Sequence, residues 1–99
     1  MDDTRIIDLY WARSEEAIHE TDQKYGPYCR TIAWNILQDR EDSEECVNDT
    51  WLQAWNAMPP KKPSLLKAFL GKITRNLALD KYRFYRTQKR NNEGSLALE

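Results

Sequence analysis

The chain has 99 residues, of which 40% are apolar, and 15 Lys or Arg against 16 Asp or Glu give it a formal net charge of −1 at pH 7. This length fits one domain with one core, and the scarcity of glycine and proline excludes a disordered or low-complexity chain. The sequence has no apolar run of the roughly 18 to 20 residues that cross a bilayer, and its acidic start lacks the order of a secretory signal, which predicts a cytoplasmic protein without membrane insertion.

The charge is divided sharply along the chain. Residues 1–60 hold five basic and thirteen acidic residues, a balance of −8, whereas residues 61–90 hold ten basic residues and one acidic residue, a balance of +9. Residues 91–99 add −2. This asymmetry predicts a polyanionic partner for the second part and a basic or polar partner for the first.

Helical spacing of apolar residues dominates, and no stretch alternates apolar and polar residues long enough to predict a strand. The predicted fold class is therefore all-α, a compact bundle of about four helices. Helix one is predicted over residues 3–12, and helix two runs from a cap at Ser14 to about Gln38. Gly26-Pro27 predicts a kink in helix two, because proline cannot donate to the carbonyl four residues back.

Asp39, with Asp42 three residues later, predicts the start of helix three. The apolar stripe of that helix is Val47, Trp51, Ala54, Trp55 and Met58. Residues 59–63 hold three prolines and two lysines, which predicts a stiff, basic, exposed loop. Ser64 is then expected to cap helix four, whose apolar side is Leu66, Phe69, Leu70, Ile73, Leu77 and Phe84.

The composition changes again after Arg90. Residues 91–95 are typical of a linker, and a new apolar segment starts at Leu96. We therefore expect a helical domain over residues 1–90, with residues 91–99 as the start of a connection to a further domain.

An enzyme is not predicted, because the sequence has one histidine, no glycine-rich phosphate loop and no nucleophile with a base at recognisable spacing. His19 is expected to be a solvated helix residue. Cys29 and Cys46 are expected to be reduced core thiols, since no CxxC pair or suitably spaced histidine completes a metal site. The acidic residues 39–45 open a helix and do not form a calcium loop. We therefore predict no catalytic residue, metal or cofactor.

Two helical faces are candidates for binding. On helix four, one face carries the basic residues Lys72, Arg75, Arg83 and Arg86, with Tyr82 and Tyr85 interleaved. A basic helix face can simply be solvated, but this one combines cations for phosphates with rings on which bases can stack. Nucleic-acid binding is favoured because the basic loop would border the same groove. Phe69 and Phe84 are interpreted as core residues. On helix three, the spacing predicts an exposed strip of Glu45, Asn48, Asp49 and Leu52, and such a strip is more often only solvated than bound.

Two long motifs in this order resemble region 2 of the extracytoplasmic-function sigma factors of bacterial RNA polymerase. They are DREDSEECVNDTWLQAW (residues 39–55) and LGKITRNLALDKYR (residues 70–83), with YGPY (residues 25–28) before them. The resemblance covers roughly residues 5 to 90. It implies a domain that binds core RNA polymerase and recognises and melts the minus-ten promoter element in transcription initiation. The further domain would then be the C-terminal promoter-reading domain that normally follows.

The resemblance also implies roles for particular positions. Helix three would dock on the clamp helices of the largest polymerase subunit through Glu45, Asn48 and Asp49, with Leu52 on the same strip. Helix four and the loop before it would hold the non-template strand, with one base turned out into a pocket. The matching positions for DNA are Lys72, Asn76 and Asp80, with Arg75 and Arg83 beside them and Lys61 and Lys62 in the loop.

The chain departs from the family's usual pattern at three places. Phe69 replaces a frequent Trp, Gly71 replaces a frequent aromatic residue, and residues 59–63 replace a loop that more typically contains Phe, Arg or Gly. Two other interpretations stay open. Helix four could bind an acidic protein, such as a sequestering anti-sigma factor, without a role in DNA binding, or the bundle could bind RNA without a preference for promoter sequence.

Overall fold

The computed structural model describes the backbone of residues 1–98 and the side chains of residues 1–89. Four helices follow one another along the chain: α1 (Asp3–Trp11), α2 (Glu16–Leu37), α3 (Arg40–Ala57) and α4 (Leu66–Leu98). Turns and loops make up the remainder of residues 1–98, without a strand. The all-α prediction with four helices is therefore confirmed.

Two aspartates act as N-caps, at the starts of α1 and α3. The Asp2 carboxylate accepts a hydrogen bond from the Arg5 backbone N–H at 3.0 Å, and the Asp39 carboxylate accepts one from the Asp42 backbone N–H at 2.8 Å. Each bond satisfies one of the N–H groups that the first turn of a helix leaves without a partner. The predicted cap at Asp39 is confirmed.

The two serine caps were predicted wrongly. α2 begins one residue later than a cap at Ser14 requires, because its N-cap is Glu15, which makes no side-chain capping hydrogen bond. The turn before it is closed by the backbone instead, with Arg13 in the left-handed region at φ 57° and the Ser14 N–H donating to Leu9 O at 2.9 Å. α4 begins at Leu66, two residues after Ser64.

The core lies where α2 packs against the other three helices. α3 presents the predicted stripe, since Val47, Trp51, Ala54 and Met58 are buried and Trp55 is half-buried. The core cluster draws on every helix and comprises Ile6, Ile7, Tyr10, Ala17, Tyr25, Cys29, Val47, Trp51, Ala54, Met58, Leu66 and Leu70. A second cluster, Ala33, Cys46 and Ala78, continues the packing toward the far end of α2.

The far part of α4 differs from the prediction. Phe84 was interpreted as a core residue, but it is 57% exposed. The last α4 residue in a buried cluster is Ala78, and every described side chain from Tyr82 to Lys89 is exposed, so Phe84 lies beyond the part of α4 that packs in the core. The backbone stays helical to Leu98, whereas the linker-like composition predicted an end near Arg90.

Buried hydroxyl groups join the helices at two points. The hydroxyls of Thr50 on α3 and Thr74 on α4 lie 2.9 Å apart, and each lies within 3.0 Å of a carbonyl four residues earlier in its own helix. Because each hydroxyl has one hydrogen, one of them donates to the other, which in turn donates to its own carbonyl. The Tyr10 hydroxyl lies 2.7 Å from that of Thr21, linking α1 to α2. Because these groups are bonded, their burial does not carry the cost of an unsatisfied polar atom.

Two glycines lie where another helix or side chain approaches closely. A Cβ atom at Gly71 would lie 2.6 Å from the Tyr28 hydroxyl, so glycine at this position lets α2 and α4 come together around that ring. A Cβ atom at Gly26 would lie 2.7 Å from Arg30, whose ion pair with Asp22 crosses this side of α2. α2 continues through Pro27, and the kink there stays a prediction.

Candidate functional sites

A groove lies between the loop that joins α3 to α4 and the side of α4 that follows it. Its volume is about 650 Å³. The loop contributes Lys61, Lys62 and Pro63 to its lining, and α3 contributes Gln53. The remaining lining comes from one side of α4 and comprises Phe69, Lys72, Ile73, Asn76, Leu77 and Asp80.

This groove brings together residues that the sequence analysis selected from two separate segments. Five of the seven predicted DNA-binding residues line it, namely Lys61, Lys62, Lys72, Asn76 and Asp80. The three on α4 are four residues apart, which places them on one side of the helix. The predicted border between the basic loop and α4 is thus present.

The lining combines three kinds of chemistry. Lys61, Lys62 and Lys72 are exposed cations, against the single carboxylate of Asp80. Phe69, Ile73 and Leu77 are half-buried and supply apolar surface, and Gln53 and Asn76 are amides that both donate and accept hydrogen bonds. Such a groove can accept a planar, partly apolar group with polar edges that is attached to an anionic chain.

The other two predicted DNA-binding residues lie outside the groove. Arg75 and Arg83 are exposed on α4 and do not line it. The Arg83 guanidinium lies 3.4 Å from the Asp80 carboxylate, and both side chains are largely exposed, so the pair is weak and can exchange partners.

The predicted strip on α3 is exposed along its whole length. Glu45, Asn48, Asp49 and Leu52 all face solvent, and the Leu52 side chain is 58% exposed. One member of the strip is already engaged, since Lys81 Nζ on α4 lies 2.9 Å from a Glu45 carboxylate oxygen. Burial alone would lower the pKa of Lys81, but the hydrogen bond to Glu45 and the nearby acidic charges outweigh it and raise that pKa.

A comparison with known protein families gives a match that covers most of the chain. The family model described as Sigma-70 region 2 matches residues 22–90, more than half of the chain. The chain belongs to the sigma-70 region 2 family. No curated protein and no solved structure gives a significant match.

Membership assigns the domain a coarse function. Region 2 of a sigma factor binds core RNA polymerase and takes part in promoter melting, so this domain is part of a transcription initiation factor and not of an enzyme family. Among the described residues, no helix has the length and apolar character that a membrane span requires. α1 lies outside the matched residues, although it is part of the same core.

A second groove of the region 2 domain borders the α3 strip. Its volume is about 520 Å³, and it lies between α2 and α3. Asn48 is the member of the strip that lines it, beside the rings of Trp51 and Trp55. The remaining lining is mostly charged or polar and comprises Glu15, Ile18, His19, Asp22 and Arg30. His19 is exposed, as predicted.

The two cysteines of the region 2 domain are buried, free thiols, which confirms their interpretation as core residues. Burial, with smaller contributions from nearby acidic groups, raises the pKa of Cys46 to about 11. The thiol of Cys46 lies 3.5 Å from the Thr74 carbonyl and donates to it. A protonated, buried thiol is a poor nucleophile and a poor metal ligand, and residues 1–89 contain no grouping of three potential metal ligands.

One residue that lines the groove and two that contact the loop beside it were not predicted from the sequence. Gln53 lies four residues after Asp49, but nothing in its local sequence indicates that the α3–α4 loop folds back beside it. Trp11 and Arg13 donate hydrogen bonds to backbone carbonyls of Trp55, Met58 and Lys61, at the start of that loop. These contacts join segments more than 40 residues apart, so only the tertiary structure reveals them.

Proposed function

We propose that this domain is region 2 of an extracytoplasmic-function sigma factor and acts in the cytoplasm. In this proposal α3 docks on the clamp helices of the largest subunit of core RNA polymerase. The groove between the loop and α4 holds the non-template strand of the melted minus-ten element. The observation that carries the proposal is the convergence of five predicted DNA-binding residues, from two segments of the chain, on one groove.

The groove suits an unstacked base better than duplex DNA. Extruding a base costs a few kcal/mol, which contacts inside a pocket must offset. The apolar surface of Phe69, Ile73 and Leu77 offers contact for the face of a base, and Asn76 offers a donor and an acceptor for its edge. Lys61, Lys62 and Lys72 can neutralise the phosphates on either side.

Arg75 and Arg83 have a separate role in this proposal. Both are exposed on α4 outside the groove lining, so they suit contacts with phosphates of the strand as it leaves the groove. Arg83 must exchange Asp80 for a phosphate, and the exposure of that pair keeps the cost of the exchange small.

The polymerase contact rests on the α3 strip. Asp49 makes no hydrogen bond or ion pair with any described side chain, so its carboxylate is available to a basic partner, and the nearby Leu52 offers an apolar contact. Glu45 is expected to contribute less, because Lys81 already neutralises it.

The test is binding of the 99-residue chain to core polymerase, and of their complex to single-stranded oligonucleotides with and without a minus-ten sequence. We expect the complex to bind the promoter oligonucleotide more tightly, with an affinity that falls as salt rises. Equal binding to all sequences, including RNA, would instead favour a general RNA-binding module.

The exposed end of α4 favours a second candidate partner. Tyr82, Phe84 and Tyr85 are each at least 42% exposed, and Arg83 and Arg86 lie between and beside them. This mixture of aromatic and basic residues suits an acidic protein, such as an anti-sigma factor, more than a bare phosphate backbone. Competition between such a protein and promoter DNA for the domain would separate the two candidates, since an interaction module without a DNA role would bind the protein alone.

A further inference from the structure

We propose that Trp11 and Arg13, at the end of α1, are positioning residues that hold the loop wall of the DNA groove against α4. The loop wall is defined as Lys61, Lys62 and Pro63, which line the groove. The inference rests on the proposed function, because its consequence is a change in DNA binding.

Trp11 acts on the loop backbone. Its indole N–H donates a hydrogen bond of 3.0 Å to the carbonyl of Lys61, fifty residues later in the chain. The bond leaves the lysine side chain free and fixes instead the main chain from which that side chain projects. Because Trp11 is 45% exposed, the removal of this bond need not disturb the core.

Arg13 acts where the chain leaves α3. Its Nη1 atom donates to the carbonyls of Trp55 at 2.7 Å and Met58 at 2.9 Å, and its guanidinium lies 3.7 Å from the centre of the Trp55 ring. Carbonyls in the last turn of a helix lack partners within it and attract a cation. Arg13 therefore satisfies these carbonyls and fixes the direction in which the loop begins.

A second part of α1 borders the loop across a small cavity. Asp3, Thr4 and Ile7 line a small cavity of about 290 Å³ together with Lys62, Pro63 and Ser64. α1 is itself held firmly, because Ile6, Ile7 and Tyr10 are buried in the core. α1 thus borders the loop from Lys61 to Ser64. Since α1 lies outside the matched residues 22–90, the groove depends on a segment beyond the region 2 match.

The first test compares Trp11→Phe with Trp34→Phe. Both tryptophans are exposed, at 45% and 47%, but Trp34 lies on α2 and makes no described contact with the loop. Loss of one hydrogen bond predicts about a twofold to tenfold weaker affinity of Trp11→Phe for the single-stranded promoter oligonucleotide. Trp34→Phe is expected to bind like the wild type, and circular dichroism checks that both variants keep their helical content.

The second test compares Arg13→Ala with Arg5→Ala, which remove the same charge. Arg5 is exposed on α1, and its guanidinium makes no hydrogen bond or ion pair within residues 1–89. If the loop is positioned by Arg13, only Arg13→Ala lowers both the affinity and the preference for promoter sequence. Arg13→Lys, which keeps a cation near the same carbonyls, is expected to restore part of both.

A direct measurement separates positioning from DNA binding. The backbone amide resonances of Lys61, Lys62 and Ser64 should shift in Trp11→Phe and Arg13→Ala without DNA, and stay in place in the two control variants. Suppose that the wild type binds the promoter oligonucleotide and Lys72→Ala lowers the salt slope, as the proposed function expects. If Trp11→Phe and Arg13→Ala then bind DNA like their controls, the positioning role is overturned and the proposed function stands. If the wild type does not bind the oligonucleotide, the proposed function fails, and unchanged loop amides in both variants then overturn the positioning role as well.

Discussion

The two candidate surfaces of the domain are built in different ways. The α3 strip belongs to one helix, and its members share one side because they are three, four and seven residues apart. The groove needs α3, α4 and the loop between them, and its loop wall also contacts α1. A surface on one helix survives as long as that helix folds, whereas a groove of several segments also depends on how those segments are held together.

The largest expected effect comes from a residue on which both surfaces depend. Trp51 is 6% exposed in the core between α2 and α3, so Trp51→Ala should lower the free energy of unfolding by about 3–5 kcal/mol. Urea unfolding measures this, with Trp34→Ala as the exposed control, for which we expect a loss below about 1 kcal/mol. A loss below about 0.5 kcal/mol for Trp51→Ala would show that the core has been assigned wrongly.

A substitution in the α3 strip should affect polymerase binding but not DNA binding in the groove. Asp49→Lys should weaken binding to core polymerase by about 2–4 kcal/mol, because it places a cation where a basic partner is expected. Helical content and binding to single-stranded DNA should stay as in the wild type, since Asp49 is exposed and lies outside the groove lining.

The same charge change at the exposed Glu41, also on α3, is the control for Asp49→Lys. If Glu41→Lys weakens polymerase binding equally, the effect is one of general charge and the strip has no particular role.

A smaller effect tests the electrostatics of the groove. Lys72→Ala should reduce the slope of log affinity against log salt by about 0.7 for single-stranded DNA, because one phosphate contact is lost. Lys67→Ala removes a lysine from the same helix but outside the groove lining, so its slope should stay unchanged. If Lys72→Ala and Lys67→Ala gave the same slope of log affinity against log salt, the lysines of α4 would contribute only a general positive charge and no particular phosphate contact.

The smallest effect concerns the two amides that face the groove. Asn76→Ala and Gln53→Ala should each reduce the preference among bases by about 0.5–1.5 kcal/mol, the contribution of one hydrogen bond, and leave the salt slope as it is. A panel of single-stranded oligonucleotides that differ at one base measures this. Asn56→Ala, an exposed amide of α3 outside the groove, is the control. Undiminished preference in both variants would remove the amides from base recognition.

The sequence predicted what depends on periodicity and local capping. It predicted four helices, the Asp39 cap, the buried stripe of α3 and the exposed strip opposite, because each is set by residues within a few positions of one another. Lys61, Lys62 and Lys72 were selected from the basic charge of the loop and of helix four, whereas Asn76 and Asp80 were selected as DNA-binding positions through the resemblance to the sigma-factor family. The cap at Ser14 failed because the turn at Arg13 is closed by backbone hydrogen bonds, which a capping pattern does not include. The cap at Ser64 failed because the first hydrogen bond into α4 runs from the Phe69 N–H to the Leu65 carbonyl, one residue later.

The remaining errors have a common physical cause. Phe84 has the spacing of a core residue, but whether a helix covers it depends on where the neighbouring helices end. Gln53 and Trp11 have ordinary local surroundings, and the place of Gln53 in the groove lining and the bond from Trp11 to the loop follow from packing between distant segments. Helical periodicity indicates which side of a helix is apolar, but it does not indicate how far along the helix a partner extends.

The hydroxyl pair of Thr50 and Thr74 has a consequence for how such domains can diverge. Thr74 lies on α4 between Lys72 and Asn76, so fixing it against α3 also fixes the rotation of α4 and hence which residues line the groove. A rotation by one residue, about 100°, would carry Lys72 and Asn76 away from the loop. As long as this pair is kept, the exposed lining residues, such as Lys72 and Asn76, can be exchanged one at a time without disturbing the core. Under the proposed function, promoter preference could therefore change at these exposed positions without a loss of stability of the bundle.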